Sequence, residues 1–330
     1  MSTALVLAGA VAKGAFEAGV LAVLAERDVR PSAIVATSAG SLNAALFATG
    51  LRFGRTRQAT ESLLKLWREE ATWTSIVRPT LRGLVEHTGV SSTDALERIV
   101  LGGMNHIAQE PLQSAPQPIN LKLVTASLNG DSLVEQGIAR TTFEHVEEFE
   151  DGDFESESGR KRAARAALAS AAFPVLFVPV QVPGVGPCID GGTVNNTPIS
   201  WALDSGADHV IVVTGNPLRI PREPELGGAE LIGKEVDIAI NERLFRDLWQ
   251  ARRVNQKLQA FQTAMQQLSL SAEQRAKLLE VLDWKPLKIT EIRPSEPLPG
   301  NAFSALGNAE LRDEYIELGR AAGEQALNAG

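Results

Sequence analysis

The sequence predicts an α/β fold, and three observations carry that prediction. A strand, a glycine-bearing loop and a helix follow one another in residues 4–24. A second apolar run, residues 33–37, ends at Ser38 and leads directly into a segment of small and apolar residues. A third apolar run, residues 209–214, follows a predicted helix much later in the chain. Buried strands that alternate with helices are typical of an α/β sheet.

Length and charge limit the possible architectures and partners. The 330 residues are 44% hydrophobic, which is enough to bury a large core, so one wide domain is as plausible as two smaller ones. Without an internal repeat or an evident linker, we expect one domain over residues 1–330, with a core at 1–217 and an extension at 218–330. The net charge of -8 argues against nucleic acid as a partner.

The cysteine, histidine and hydropathy patterns argue against a disulfide-linked, metal-binding, secreted or membrane-spanning protein. Cys188 is the only cysteine and cannot form an internal disulfide, and the four histidines are scattered, so neither a metal nor another cofactor is expected. The apolar N-terminus is interrupted by Lys13 and Glu17 and indicates a buried strand instead of a signal peptide. No transmembrane segment is predicted. We expect a cytoplasmic protein, and peripheral attachment to a membrane stays open.

The first unit consists of a strand at residues 4–8, a loop at 9–14 and a helix with Phe16, Val20 and Leu24 on one face. A loop at a helix N-terminus offers backbone N–H groups to an anion, so a phosphate site and an oxyanion hole are both reasonable. The phosphate interpretation is the weaker one. The order Lys-Gly-Ala does not match a Walker loop, and valine stands where a dinucleotide loop needs glycine.

The second unit resembles a nucleophile elbow. A strand at residues 33–37 would deliver Ser38 to a sharp turn before a helix, where unpaired N–H groups favour a developing negative charge. The elbow pattern is Gly-x-Ser-x-Gly, and this chain keeps Gly40 but has Ala36 in the first position. The alternative is a serine N-cap on an ordinary helix.

Helices are predicted at residues 61–70 and 92–101, the second with a capping group at 91–94. Trp67 and Trp73 lie near these helices and could line an apolar substrate groove. Ordinary core packing is the favoured interpretation for both side chains.

The middle of the chain predicts a hairpin and a loop. Residues 121–126 and 132–135 alternate like strands, and Asn129-Gly130 between them predicts the hairpin turn. The segment 144–157 carries eight acidic residues and is predicted to be a solvated loop without a calcium-binding pattern.

A second polar feature follows a predicted helix at residues 160–172. A short strand at 187–190 ends in Asp190, and Gly191 and Gly192 come directly after it. The aspartate could be a turn former or a functional carboxylate.

The last third of the chain is predicted to be mostly helical. Apolar residues keep helical spacing over 240–268, which predicts a long helix with one buried face. An edge strand at 286–293 and a closing helix at 310–327 complete the chain.

Four stretches together resemble the patatin-like phospholipase family. They are residues 5–21 (LVLAGAVAKGAFEAGVL), 36–45 (ATSAGSLNAA), 166–180 (AALASAAFPVLFVPV) and 190–198 (DGGTVNNTP). The resemblance implies a three-layer α/β/α sandwich with the helical extension packed on the same domain. It also implies a Ser-Asp dyad that hydrolyses lipid acyl esters.

The resemblance assigns roles position by position. It implies that Ser38 is the nucleophile, that Asp190 is the base, and that Gly9, Ala10 and Val11 form the oxyanion loop. The residues that support these motifs are Lys13, Gly14, Gly40, Gly191 and Gly192.

Three positions depart from the family pattern, which has glycine where this chain has Ala10, Val11 and Ala36. A β-branched residue is strained at positive φ. We therefore expect either a loop that keeps negative φ with convergent N–H groups or a loop in which one donor has turned away. We expect slow hydrolysis that depends on Ser38.

The chemistry of the two motifs supports a dyad independently. A serine hydroxyl needs a base within hydrogen-bond reach, and neither motif contains a histidine. His209 opens a predicted strand, and His87, His106 and His145 fall in predicted loops. Asp190 would have to be partly desolvated, since a carboxylate with a pKa of about 3.9 is a weak base.

The sequence thus predicts a phospholipase A or lysophospholipase type of hydrolase that meets its lipid or acyl-ester substrate at a membrane or micelle surface. The alternative is a weak or inactive lipid-binding or regulatory module with the same fold, in which the side chains of Ala10 and Val11 close the oxyanion site. A nucleotide-binding enzyme is a distant third.

Overall fold

The protein is an α/β/α sandwich in the computed structural model. The described residues are 2–76, 91–110, 114–135, 138–174, 176–217, 228–268, 270–282 and 287–329.

Strands from all parts of this described chain form one mixed sheet. The strands are β1 (Thr3–Leu7), β2 (Ala33–Thr37), β3 (Asn120–Glu135), β4 (Ile138–Phe149), β5 (Val180–Val182), β6 (Gly186–Asp190), β7 (His209–Val213) and β8 (Lys288–Ile292). Their order is β5-β6-β3-β2-β1-β7-β8, and β4 pairs with β3 outside that path. The five neighbouring strands β3-β2-β1-β7-β8 are parallel. The pairs β3-β4, β3-β6 and β5-β6 are antiparallel.

Helices cover both faces of this sheet. They are α1 (Gly14–Glu26), α2 (Ala39–Phe53), α3 (Thr56–Lys65), α4 (Trp73–Ile76), α5 (Asp94–Gln109), α6 (Asp151–Glu155), α7 (Glu157–Ser170), α8 (Ile199–Asp204), α9 (Gly228–Gln267), α10 (Ala272–Leu282) and α11 (Ala309–Ala329). A π-helical turn, Leu66–Glu70, continues α3. Short 3₁₀ turns occur at Val11–Lys13, Gly191–Thr193 and Ser304–Gly307.

The two layers follow from side-chain alternation in the central strands. In β1, Leu5 and Leu7 pack with α1, α2, α3, α5, α7 and α11, whereas Ala4 and Val6 pack with α8 and Leu248 of α9. Because successive side chains of a strand point to opposite faces, a continuous apolar run is buried on both sides.

Most elements expected from the sequence are present. The two strand-to-helix units, the helix at α7, the edge strand β8 and the closing helix α11 are confirmed. Pro286, at the start of the predicted edge strand, lies outside the described residues. Along the long helix α9, Leu248, Leu258 and Met265 are buried, whereas Leu268, directly after the helix, is exposed.

The hairpin predicted at Asn129-Gly130 is wrong. Both residues lie within β3, whose register with β4 shifts between Ala126 and Asp131. Gly130 has φ 66°, which glycine adopts without a steric penalty. The dipeptide therefore produces a β-bulge in a continuing strand.

The solvated loop predicted at residues 144–157 is also wrong. Its first part belongs to β4 and its second part forms α6 and the start of α7. Arginine and amide groups accommodate the acidic side chains: Arg162 donates to Asp153 at 2.7 Å, and Asn195 donates to Glu144 at 2.8 Å.

The capping group predicted at residues 91–94 is not formed by side chains. Helix α5 begins at Asp94, and its N-cap residue Thr93 makes no side-chain cap hydrogen bond. The Ser91 hydroxyl instead donates to the carbonyl oxygen of Ile76 at 3.1 Å.

Candidate active site

Ser38 occupies a strained turn between β2 and α2. Its backbone has φ 54° and ψ -131°, a conformation that non-glycine residues rarely adopt. The side chain makes no cap hydrogen bond to α2, so the interpretation as an ordinary N-cap is wrong. At Gly40 a Cβ atom would lie 2.7 Å from the carbonyl oxygen of Leu7, so this close approach of helix and strand requires glycine.

Asp190 lies opposite Ser38 at the end of β6. Strand β6 pairs with β3 through Thr125 and Asp190, and β3 is the direct neighbour of the strand that carries Ser38. The Ser38 Oγ donates to Asp190 Oδ2 at 2.6 Å, and the Gly192 N–H donates to Asp190 Oδ1 at 2.7 Å. At Gly191 a Cβ would lie 2.0 Å from the carbonyl oxygen of Val124, so this position also requires glycine.

Burial changes the acidity of the Asp190 carboxyl group. Only 3% of Asp190 is exposed, and this desolvation raises its pKa from 3.8 to about 6. The hydrogen bonds from Ser38 and from the Gly192 N–H act in the opposite direction, because they stabilise the charged form. The carboxylate is therefore ionised at neutral pH but is a stronger base than an exposed aspartate.

The loop before α1 contains two backbone N–H groups that donate no hydrogen bond among the described residues. The Gly9 N–H donates to the Asn196 carbonyl oxygen at 3.0 Å, and the Ala12 N–H donates to the Ala302 carbonyl oxygen at 3.1 Å. The N–H groups of Ala10 and Val11 between them have no such acceptor in the described part of the chain. Val11 lines the same pocket as Ser38.

Val11 has φ 48°, a left-handed backbone conformation. Of the two loops expected from the sequence, the one that keeps negative φ at this residue is therefore wrong. Such a conformation is strained for a β-branched residue and persists only where surrounding contacts hold it. The next two residues are held by contacts of their own. The Ala12 N–H donates to the Ala302 carbonyl oxygen, and the Nζ of the buried Lys13 donates to Asn216 Oδ1 at 3.4 Å.

Ser170 supports the strained turn through a contact that no local sequence pattern indicates. Its Oγ accepts hydrogen bonds from the Ser38 N–H and from the Ser41 hydroxyl, both at 2.8 Å. Its own hydroxyl donates to the Val124 carbonyl oxygen at 2.5 Å. An alanine-rich helix such as α7 carries no local signal that one of its serines contacts a turn 132 residues earlier.

An apolar pocket opens at Ser38 and Asp190. Trp67 and Trp73 both line it. Trp67 also belongs to the buried core, as expected, whereas Trp73 is exposed, so core packing is the wrong interpretation for that side chain. The indole of Trp67 also packs against Gly14 and donates to Asn43 Oδ1 at 2.8 Å. The other lining residues are Val11, Ala39, Leu42, Leu66, Ala71, Ile76, Leu96, Ala171, Phe173, Leu176, Phe177 and Leu306.

Comparison with known families decides the relationship. A family model described as patatin-like phospholipase matches residues 5–203. The chain belongs to the patatin-like phospholipase family. Membership of this family indicates hydrolysis of lipid acyl esters.

Two solved structures that match this chain have low sequence identity to it. VipD from Legionella pneumophila is 15% identical with a TM-score of 0.44, and the match covers 99% of this chain and 67% of that one. The type III effector protein ExoU is 13% identical with a TM-score of 0.42, and the match covers 99% of this chain and 53% of that one. A search of curated proteins finds no match.

Histidine is not part of the patatin-like site in the described residues. His209 opens β7 as expected and contacts the Thr290 hydroxyl at 2.9 Å. His106 lies in α5 and His145 in β4, so the loops predicted there are wrong, and both contact nearby glutamates. His87 lies outside the described residues.

The described ranges contain neither a metal-binding cluster nor a membrane-spanning helix. No cluster of three or more His, Cys, Asp or Glu side chains there could hold a metal ion. None of the helices described there has the length and apolar character needed to cross a bilayer.

Proposed function

We propose that this patatin-like protein is a serine acyl-ester hydrolase of the phospholipase A or lysophospholipase type, with Ser38 as nucleophile and Asp190 as general base. One observation carries the proposal: the hydroxyl of a serine in a strained turn donates a 2.6 Å hydrogen bond to a buried carboxylate at the base of an apolar pocket. Nucleophile and base within hydrogen-bond reach are the signature of an activated serine.

In the first half of the reaction, the Ser38 Oγ attacks the ester carbonyl carbon and its proton passes to Asp190 Oδ2. The carbonyl oxygen becomes an oxyanion, which the N–H groups of Ala10 and Val11 stabilise. The carbon–oxygen bond to the alcohol then breaks, and the protonated Asp190 gives its proton to the departing oxygen. The product is an acyl ester of Ser38 and a free alcohol.

In the second half, Asp190 accepts a proton from a water molecule that attacks the acyl carbon. The same two N–H groups stabilise the second oxyanion. When the bond to Ser38 breaks, Asp190 returns the proton to Oγ and the fatty acid leaves. The carboxylate thus acts alternately as base and acid, which suits a group with a pKa of about 6.

Two features of the site support a lipid substrate. Apart from Ser38 and Asp190, the side chains that line the pocket are apolar, so the pocket favours hydrocarbon over a charged group. Lipids with long hydrocarbon chains aggregate in water, so we propose that the enzyme meets its substrate at a membrane or micelle surface.

The alternative of an inactive lipid-binding module required the side chains of Ala10 and Val11 to close the oxyanion site. The unused N–H groups of both residues favour the enzyme instead. We also propose that residues 1–330 form one domain, because α11 packs on α1 and β8 extends the central sheet.

A lipid-class hydrolysis screen tests this proposal. Phospholipids, lysophospholipids and neutral acylglycerols are presented as mixed micelles, and released fatty acid is measured. We expect release by the wild type, no release by Ser38→Ala, and normal release by Ser158→Ala, which makes the same change at an exposed serine. Equal release by wild type and folded Ser38→Ala would refute the assigned nucleophile.

A further inference from the structure

Residues 301–307 lie about a hundred positions beyond the family match, yet they form part of the site. The Ala302 carbonyl oxygen accepts the Ala12 N–H at 3.1 Å, one residue after the strained Val11. Leu306 contributes one wall of the pocket. The patatin-like core alone therefore does not complete the pocket.

A buried arginine holds this segment against the opposite wall. Arg312 is 5% exposed, and its Nη1 donates to the Ala305 carbonyl oxygen at 2.7 Å. Its Nη2 donates at 3.2 Å to the carbonyl oxygen of Arg68, the neighbour of the pocket residue Trp67. One guanidinium thus links the 3₁₀ turn Ser304–Gly307 to the π-helical turn that carries Trp67.

Phe303 connects two aromatic residues of the pocket that are far apart in the sequence. Its ring stacks on Trp73 with centroids 6.3 Å apart and meets Phe173 edge-on at 5.6 Å. Trp73 and Phe173 line the pocket, whereas Phe303 lies behind them and is half-buried. Such aromatic pairs favour defined orientations of both rings.

Trp73 stands at the solvent end of the pocket, since it is 36% exposed, whereas Ser38 at the inner end is 4% exposed. Phe173 lies nearer the dyad, because the carbonyl oxygen of its neighbour Ala172 accepts the Asp190 N–H at 3.0 Å. An acyl chain has to extend from Ser38 toward solvent to reach Trp73. We infer that Phe303 is a positioning residue that sets the preference for long acyl chains by holding Trp73 along the outer part of the pocket.

This inference rests on the proposed esterase function and deepens it. Each methylene that an aromatic wall shields from water is worth roughly fourfold in affinity. Removing the Phe303 ring frees Trp73 to move, so we expect long acyl chains to lose the shielding of about one to two methylenes, roughly four- to sixteenfold in kcat/KM. Short chains, which do not reach Trp73, should lose about twofold at most.

The test compares Phe303→Ala with Leu311→Ala, a matched loss of a partly buried side chain on α11 that does not line the pocket. The substrates are p-nitrophenyl esters from acetate to palmitate. We expect Phe303→Ala to keep the acetate rate within about twofold and to lose roughly tenfold on palmitate, mainly through KM. We expect Phe303→Tyr to restore the wild-type profile and Leu311→Ala to leave it unchanged. An equal loss at every chain length, or no loss, would overturn the inference.

A binding measurement separates this inference from the proposed function. In a Ser38→Ala background, laurate and palmitate are titrated calorimetrically with and without Phe303→Ala. Weaker palmitate binding with unchanged laurate binding supports the role of Phe303 even if no ester is hydrolysed. Unchanged palmitate binding counts against it, whatever the wild-type activity is.

Discussion

Replacement of Asp190 by asparagine should raise stability at neutral pH while it removes activity. The side chain is buried, and its pKa of about 6 lies about two units above the ordinary value of 3.8. Asparagine has the same shape, so its amide oxygen can still accept from the Gly192 N–H. It has no charge to desolvate and no basic oxygen for the Ser38 proton.

The magnitude follows from linkage between protonation and folding. Because the folded pKa of Asp190 is raised, its contribution to stability is fully present below about pH 3.8 and is lost as pH rises through about 6. At about 1.4 kcal/mol per pKa unit, the total loss is about 3 kcal/mol. Asparagine does not undergo this loss. The difference in free energy of unfolding between Asp190→Asn and wild type should therefore grow with pH, by about 1 kcal/mol between pH 5 and 8.

Urea denaturation of both proteins at several pH values between these limits measures that difference. Asp204→Asn, the same change at an exposed position on α8, is the control and should show a constant difference from wild type. A difference for Asp190→Asn that stays flat or shrinks as pH rises would refute the reasoning. It would mean that burial does not disfavour the charged form of Asp190.

Three other predictions follow from the same contacts. The kcat/KM of the wild type on a monomeric ester should rise through about pH 6 as Asp190 loses its proton, and a flat profile across this range would contradict its role as base. Ser170→Ala leaves the Ser38 N–H and the Val124 carbonyl oxygen without their buried partner. We expect it to lower the free energy of unfolding in urea by about 1 to 3 kcal/mol and to lower kcat more than it changes KM; unchanged kcat would show that Ser170 does not hold the turn. Val11→Gly removes a left-handed strain of about 1 to 3 kcal/mol against a glycine entropy cost of about 0.5 to 1 kcal/mol, so urea denaturation should show a net gain of about 1 kcal/mol. Destabilisation of similar size would indicate that the Val11 side chain contributes more by packing than it costs by strain.

Local signals made the two motifs of the site predictable. Ser38 and Asp190 each follow a short apolar strand and precede glycine, and this pattern needs no knowledge of distant contacts. Strand β3 pairs parallel with β2 and antiparallel with β6, and this arrangement brings the two strand ends together. The strands of the α/β core were predictable for the same reason, since apolar runs define them, whereas the three-layer arrangement was expected from the family resemblance.

The bulge in β3, the loop at Val11 and the contacts of Phe303 could not be predicted, because each depends on residues far away in the sequence. Asn129-Gly130 has the composition of a hairpin turn, but β4 continues to pair with β3 beyond it, so a bulge forms instead. Val11 disfavours positive φ by itself, yet contacts of the adjoining residues with Ala302 and Asn216 hold the loop. Phe303 packs on the pocket residue Trp73 only because the chain returns to this region after α9 and α10.

The central claim is that Asp190 activates Ser38, and covalent labelling tests it most directly. Wild type and Asp190→Asn are treated with a fluorophosphonate probe, and the rate of Ser38 modification is followed by mass spectrometry at several pH values. We expect wild-type labelling at Ser38 to accelerate through about pH 6, and labelling of folded Asp190→Asn to be slower by about a hundredfold or more. Labelling of Ser38 at the same rate in both proteins would contradict the dyad.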